Sequence, residues 1–263
     1  NDTVIKVNLP ASYNTTDTLN LNVFYHGKPQ GDPSGWGGFY FSGNYAFNLG
    51  VGFGANPHNY GRVWFPCFDN FVEKSLYDFN ITTDVSKKAY CNGELINDVV
   101  NGSLRTRSWK LEKEIPSYLA SVAVADYTQV NWTASVASGT VPVILAARAA
   151  DTSALKAGFV NLLNAVSGFE NYYGPYVWNR VGYCLVPFNS GAMEHATNIA
   201  YPQAAISIGY EATLMAHELS HHWWGDLMTC ETQEDMWLNE GWASYSEYLF
   251  REWKYGYNSY ITN

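Results

Sequence analysis

His217-Glu218-Leu219-Ser220-His221 sets two histidines four residues apart with a glutamate beside the first. On an α-helix that spacing is about one turn, so both imidazoles stand on one face and reach a single ion at about 2.0 to 2.1 Å, the usual zinc-to-histidine bond. Zinc held by two histidines needs a further donor while keeping one position for water, and a carboxylate from the next helix is a common solution. Glu240 is the candidate, because in Trp237-Leu238-Asn239-Glu240-Gly241-Trp242-Ala243 an acid among apolar neighbours calls for a cation. Glu218 then serves as a general base: its carboxylate takes a proton from a metal-activated water and returns it to a leaving amine. The expected complement is one Zn2+ per chain on His217, His221 and Glu240. His222 points about 100° round the helix from His221 and reads as a surface residue or a support behind the ligands.

Two long helices must carry these groups, Glu211 to Trp224 and Glu234 to Phe250, separated by a loop near Gly225 to Thr232. Upstream, Leu155, Phe159, Leu162, Leu163 and Val166 recur at three- and four-residue steps behind a possible N-cap at Asp151 or Thr152, which predicts an amphipathic helix. The apolar run Val181 to Pro187 reads as a buried strand. From Asn1 to about Arg148 the chain is a series of short β-rich runs cut by turn residues, such as Leu19 to Tyr25, Ser75 to Thr82 and Tyr118 to Val124. This half is expected to be mostly antiparallel sheet, with Gly31 to Gly54 as loops and short strands. No low-complexity linker divides the halves, so they are expected to pack together.

The 263 residues are 47% apolar and 16% aromatic with only 15% charged, the composition of an ordered globular chain. A net charge of -9 argues against nucleic acid and anionic membranes as partners. Cys67, Cys91, Cys184 and Cys230 are too widely spaced for a zinc knuckle or a C-x-x-C redox pair and are expected as free thiols. Few lysines and many Tyr, Trp, Asn and Thr lean towards a secreted or periplasmic location, with the cytoplasm as the alternative. No apolar run reaches the roughly 18 residues of a membrane span. With neither an initiator Met nor a signal pattern at its start, the chain reads as processed or excerpted.

The metal motif, followed after eighteen residues by Glu240 within W-L-N-E-G, resembles the gluzincin signature of the aminopeptidase N and leukotriene hydrolase family of zinc metallopeptidases. Gly191-Ala192-Met193-Glu194-His195 resembles that family's G-A-M-E-N exopeptidase motif, and Arg62 to Asp69 its R-x-x-F-P-C-F-D segment. Ser117-Tyr118-Leu119 followed by Ala125-Asp126 is similar to a family strand. The resemblance implies an α+β chain: a mostly antiparallel β-saddle domain over residues 1–148, short at its front, then the N-terminal part of a thermolysin-like catalytic domain over 149–263. It also implies that Gly191, Ala192, Met193 and Glu194 bind the substrate. The glycine-rich segment accepts an extended peptide as an added strand, and Glu194 pairs with its free α-amino group.

The implied activity is zinc-dependent hydrolysis that releases amino-terminal residues from peptides with a free amino terminus. The alternative is a catalytically silent relative that binds peptides or helps an assembly. Three departures bear on this. His195 stands where the family has Asn, and Ala55 to Tyr60 holds no Glu or Gln to share the amino group. The family's oxyanion-donating tyrosine lies well downstream of the third ligand, whereas Tyr257 and Tyr260 lie close to Glu240. The chain therefore reads as an excerpt without the closing helical lobe, with weak or no turnover by itself.

Overall fold

A computed structural model describes residues 4–207 and 211–261. Strands β1 (Gly37–Ser42) and β2 (Tyr45–Gly52) form a hairpin. β3 (Lys74–Asp84), β4 (Lys88–Cys91), β5 (Glu94–Asn101) and β6 (Leu104–Pro116) follow, then β7 (Val122–Ala125). They make two antiparallel sheets, ordered β1-β2-β7-β4 and β3-β6-β5. In β3 the alternation is direct: Tyr77, Phe79 and Ile81 turn inward while Leu76, Asp78, Asn80 and Thr82 face water. Trp109, Leu111 and Ile115 of β6 complete that core layer.

β8 (Tyr127–Val136) and β9 (Gly139–Arg148) form a second hairpin, and β9 continues in parallel with β10 (Val181–Val186), which pairs in parallel with β11 (Ile199–Pro202). This four-stranded sheet runs across residue 148. Every residue of β10 is buried, as expected for a parallel strand with two neighbours and both faces covered, and the apolar run of its sequence says the same. The helices are α1 (Thr152–Gly158), α2 (Leu162–Tyr173), α3 (Glu211–Ser220), α4 (Met236–Tyr255) and the short α5 (Tyr257–Ile261). Antiparallel sheets followed by helices on a mixed sheet make an α+β fold. Among the described residues no helix is long and apolar enough to cross a membrane.

Two expectations need correction. Leu19 to Tyr25 forms no strand: Leu19, Leu21, Phe24 and Tyr25 are exposed, and the segment pairs with no strand among the described residues. An alternating pattern supplies the face of a strand but not its hydrogen-bonding partner. The helix expected through Leu155, Phe159 and Val166 is two helices. The chain turns after Gly158 so that Phe159, fully buried, sets its ring edge-on to Tyr183 and Tyr201 at 4.8 and 5.0 Å. Leu162, Ala165, Val166 and Phe169 form the buried stripe of α2, which leaves Leu163 partly exposed.

The saddle sheets and the mixed sheet are joined by buried polar groups. Arg180 donates from Nη2 to Cys91 O and Thr197 O at 2.6 Å each, and stacks its guanidinium on Trp109 at 4.5 Å. Asn92 donates to Leu119 O and Ala196 O, while its Oδ1 accepts from Ser121 N. Asn198 donates to Tyr90 O at 3.1 Å. Such bonds are directional, so they fix how the two sheets meet as well as the fact that they do. All four cysteines are free thiols; Cys91, Cys184 and Cys230 are buried and Cys67 is half-buried.

Candidate metal centre

α3 ends at Ser220, so His217 and Glu218 stand in its last turn and His221 begins the tight turn beyond it. That turn is closed by Trp223 N and Trp224 N, which both donate to Ser220 O, and by Asp226 N donating to His221 O at 2.9 Å. The His217 and His221 rings remain on one side with centroids 5.0 Å apart. Gly225 has φ +133, and a Cβ there would lie 3.2 Å from His221 Nδ1, so a glycine is required beside this imidazole. A 3-10 turn at Gln233–Asp235 leads into α4, whose second turn carries Glu240.

The ligand atoms of His217, His221 and Glu240 lie within 4.8 Å of one another. Glu240 Oε2 is 3.3 Å from His217 Nε2 and 3.8 Å from His221 Nε2. Donors bound tetrahedrally at about 2.0 to 2.1 Å stand about 3.3 to 3.4 Å apart, so the observed separations fit a zinc ion. Orientation fits as well. His217 Nδ1 donates to Glu247 Oε1 at 2.9 Å and His221 Nδ1 donates to Trp224 O at 2.9 Å, which leaves both Nε2 atoms facing Glu240. His221 is buried and His217 largely so, whereas the Glu240 side chain is half exposed, a correction to the buried acid that its apolar neighbours imply. A helix face open to a cleft can be apolar in sequence and wet in space.

Glu218 is buried, and burial pushes its carboxyl up to about 8; the His217 charge opposes the shift, and Glu240 and Glu247 add to it. Glu194 is buried too, with its carboxyl raised well above the usual range by burial and then by the charges of Glu240 and Glu218. Ligand atoms of Glu194, Glu218 and His221 also lie within 4.8 Å of one another, so Glu194 and the metal motif meet in one cluster. Met193 exchanges backbone bonds with Ala200 of β11 at 2.9 Å, which anchors that segment to the mixed sheet.

His195 is fully buried and accepts from Asn48 Nδ2 at 3.3 Å, and burial holds its imidazole down to about 3, hence neutral. It ties the segment to β2. The stretch Ala55 to Tyr60 does lack a carboxylate, but His58 N donates to Gln233 Oε1 at 2.9 Å, an amide brought by the turn before α4. Arg62 and Asp69 pair at 2.8 Å, and Asp69 also accepts from Ser117 Oγ, so this motif braces a turn of the saddle. Tyr257 is exposed, and the side chain of Tyr260 lies outside the described residues.

Sequence reasoning missed several groups. Glu247 lies seven residues after Glu240 on the same helical stripe, a spacing that could have revealed it. Tyr118 is fully buried with a hydroxyl that has no partner among the described residues, and burial and then the Glu194 carboxylate raise it well above the usual phenol range. Of the two readings expected for His222, the support behind the ligands holds and the surface position does not, since the residue is fully buried. It accepts from Thr197 N at 3.2 Å and donates from Nδ1 to Tyr176 Oη at 2.8 Å, so it props the ligand turn against the core.

Residues 161–262 match the peptidase family M1 domain. Among curated proteins, aminopeptidase N of Canis lupus familiaris is 30% identical over 209 residues, covering 72% of this chain and 21% of its own length. Leucine aminopeptidase 2 of Aspergillus terreus is 32% identical, with 72% and 30% covered. The chain thus spans about a fifth to a third of the length of these relatives. The crystal structure of an M1 zinc metallopeptidase from Deinococcus radiodurans superposes with a TM-score of 0.75 at 23% identity, covering 86% of this chain and 51% of the other, which is agreement in fold.

Proposed function

This chain belongs to the peptidase M1 family of zinc metallopeptidases, and from that premise we propose that it holds the zinc site and the substrate anchor of an aminopeptidase. His217, His221 and Glu240 would hold the ion, with Glu247 and the Trp224 carbonyl orienting the two imidazoles. Bound zinc lowers the pKa of a water and polarises the scissile carbonyl. The observation that carries the reading is the convergence of three ligand atoms with both histidine Nδ1 atoms already engaged.

Glu218 takes a proton at its carboxylate and gives it to the departing amine. A carboxyl raised by burial does both near neutral pH, because it gains and loses a proton with similar ease. Glu194 binds the α-ammonium. A buried carboxylate among other acids is costly until a cation meets it, so the substrate's own charge relieves the repulsion. With the Met193 backbone groups held by Ala200, those of Ala192 and Glu194 pair with the extended peptide and hold its first bond over Glu218.

The test is turnover by the longest native form of the protein, zinc-loaded, on a peptide and its Nα-acetylated twin. Cleavage of the free peptide only, one residue at a time, is expected. Equal cleavage of both would remove Glu194 as anchor, and no cleavage of either would remove the enzyme reading.

A further inference from the structure

We propose that Trp36, Phe53 and Phe188 form a subsite for a large apolar side chain at the third or fourth residue of the peptide; this rests on the reading of Gly191 to Glu194 as the substrate-binding segment. The direction of the peptide follows from the segment itself. Met193 spends its backbone groups on Ala200, so alternation turns those of Ala192 and Glu194 to the opposite edge, where a peptide can pair. A peptide whose amine sits at Glu194 and which runs with the segment would enter the fully buried His195. It must therefore run antiparallel, back towards Gly191.

Three residues of extended chain cover about 10 Å, which places the third or fourth residue of the peptide at Gly191. What waits there is aromatic. Trp36 Nε1 donates to Ser190 O at 2.7 Å, and a Cβ on Gly191 would lie 3.8 Å from the same nitrogen, so the indole lies against this end of the segment. Phe53 stacks on Trp36 with centroids 4.7 Å apart, and Phe188 meets it edge-on at 5.7 Å. Trp36 comes from the loop before β1, Phe53 from the turn after β2 and Phe188 from the loop after β10. Phe53 nevertheless keeps 60% of its surface exposed. Three rings from separate loops meet at the open end of the segment with one face uncovered, and an aromatic or aliphatic side chain is the group that gains by covering it.

The experiment measures peptide affinity by calorimetry on the zinc-loaded chain carrying Glu218→Gln, so that no substrate is consumed. The probes are penta-alanine, its Nα-acetylated form, and pentapeptides with Phe at position two, three or four. Phe at position three or four should tighten binding about five- to tenfold over penta-alanine, and Phe at position two should not. Adding Phe53→Ala or Trp36→Ala should reduce that gain below about twofold, and Phe53→Ala should leave penta-alanine within about twofold of its starting affinity. Phe53→Ala removes an exposed ring that holds no backbone group, so it tests the subsite even if Trp36→Ala disturbs Ser190. A gain equal at all positions, or one that survives in both variants, overturns the subsite. If the position-dependent gain is present while acetylation costs nothing, the subsite stands and the amine anchor at Glu194 falls; if no peptide binds, both fall.

Discussion

Glu247→Ala removes the acceptor of the 2.9 Å bond from His217 Nδ1 without touching a ligand. Partners of this kind fix the tautomer and aim the lone pair, and losing one lowers metal affinity about 10- to 100-fold. That corresponds to about 1.4 to 2.8 kcal/mol. The Glu247 side chain is 33% exposed, so water can replace part of the lost bond and the lower half of that range is expected. Glu247→Gln keeps an acceptor oxygen but loses the charge, and should fall between the wild type and Glu247→Ala. The assay is competition for zinc against a chelator of known affinity, at fixed pH, with circular dichroism to establish that the variants stay folded. Unchanged zinc affinity in a folded Glu247→Ala would refute the idea that this carboxylate positions His217.

Three further outcomes follow from the same geometry. Glu218→Gln should retain zinc but lose about 10²- to 10⁴-fold in turnover of the longest native form, and near-normal hydrolysis would exclude the general-base role. Hydrogen bonds to Glu240 and Glu247 overcome the burial that disfavours charge and hold the metal-free His217 imidazolium up to about 11, so zinc must displace a proton at pH 7. Zinc affinity should then rise about tenfold per pH unit from pH 6 to 8, and calorimetry in buffers of different ionisation enthalpy should find at least one proton released; none would contradict the His217 assignment. Arg180→Met should cost about 3 to 5 kcal/mol in urea unfolding, because it leaves Cys91 O and Thr197 O buried without their charged donor. A loss below about 1 kcal/mol would show that the guanidinium is not needed to join the sheets.

Groups related by local spacing were legible in the sequence, and groups related through space were not. His217 and His221 converge because helix geometry fixes positions four apart, and the fully buried β10 follows from an uninterrupted apolar run. The Glu194 carboxyl could be placed in the same cleft only through resemblance to a family, since nothing in its own neighbourhood points to residues 218 or 221. The strand expected at Leu19 to Tyr25 failed because a ladder needs a second strand, which no local pattern supplies. The break after Gly158 was hidden because Phe159 obeys the helical period while its ring is claimed by Tyr183 and Tyr201 in the mixed sheet. For His222 the sequence left two readings, a surface residue or a support behind the ligands, and only the fold selects the second. The direction of His222 round the helix is correct, but that direction leads into Tyr176 and Thr197 rather than into water.

The central claim is that His217, His221 and Glu240 together hold one zinc ion, and zinc content after equilibrium dialysis tests it most directly. One equivalent per chain is expected in the wild type and none in the folded His217→Ala, His221→Ala double variant. A wild-type chain that takes up no zinc, or a double variant that keeps a full equivalent, would contradict it.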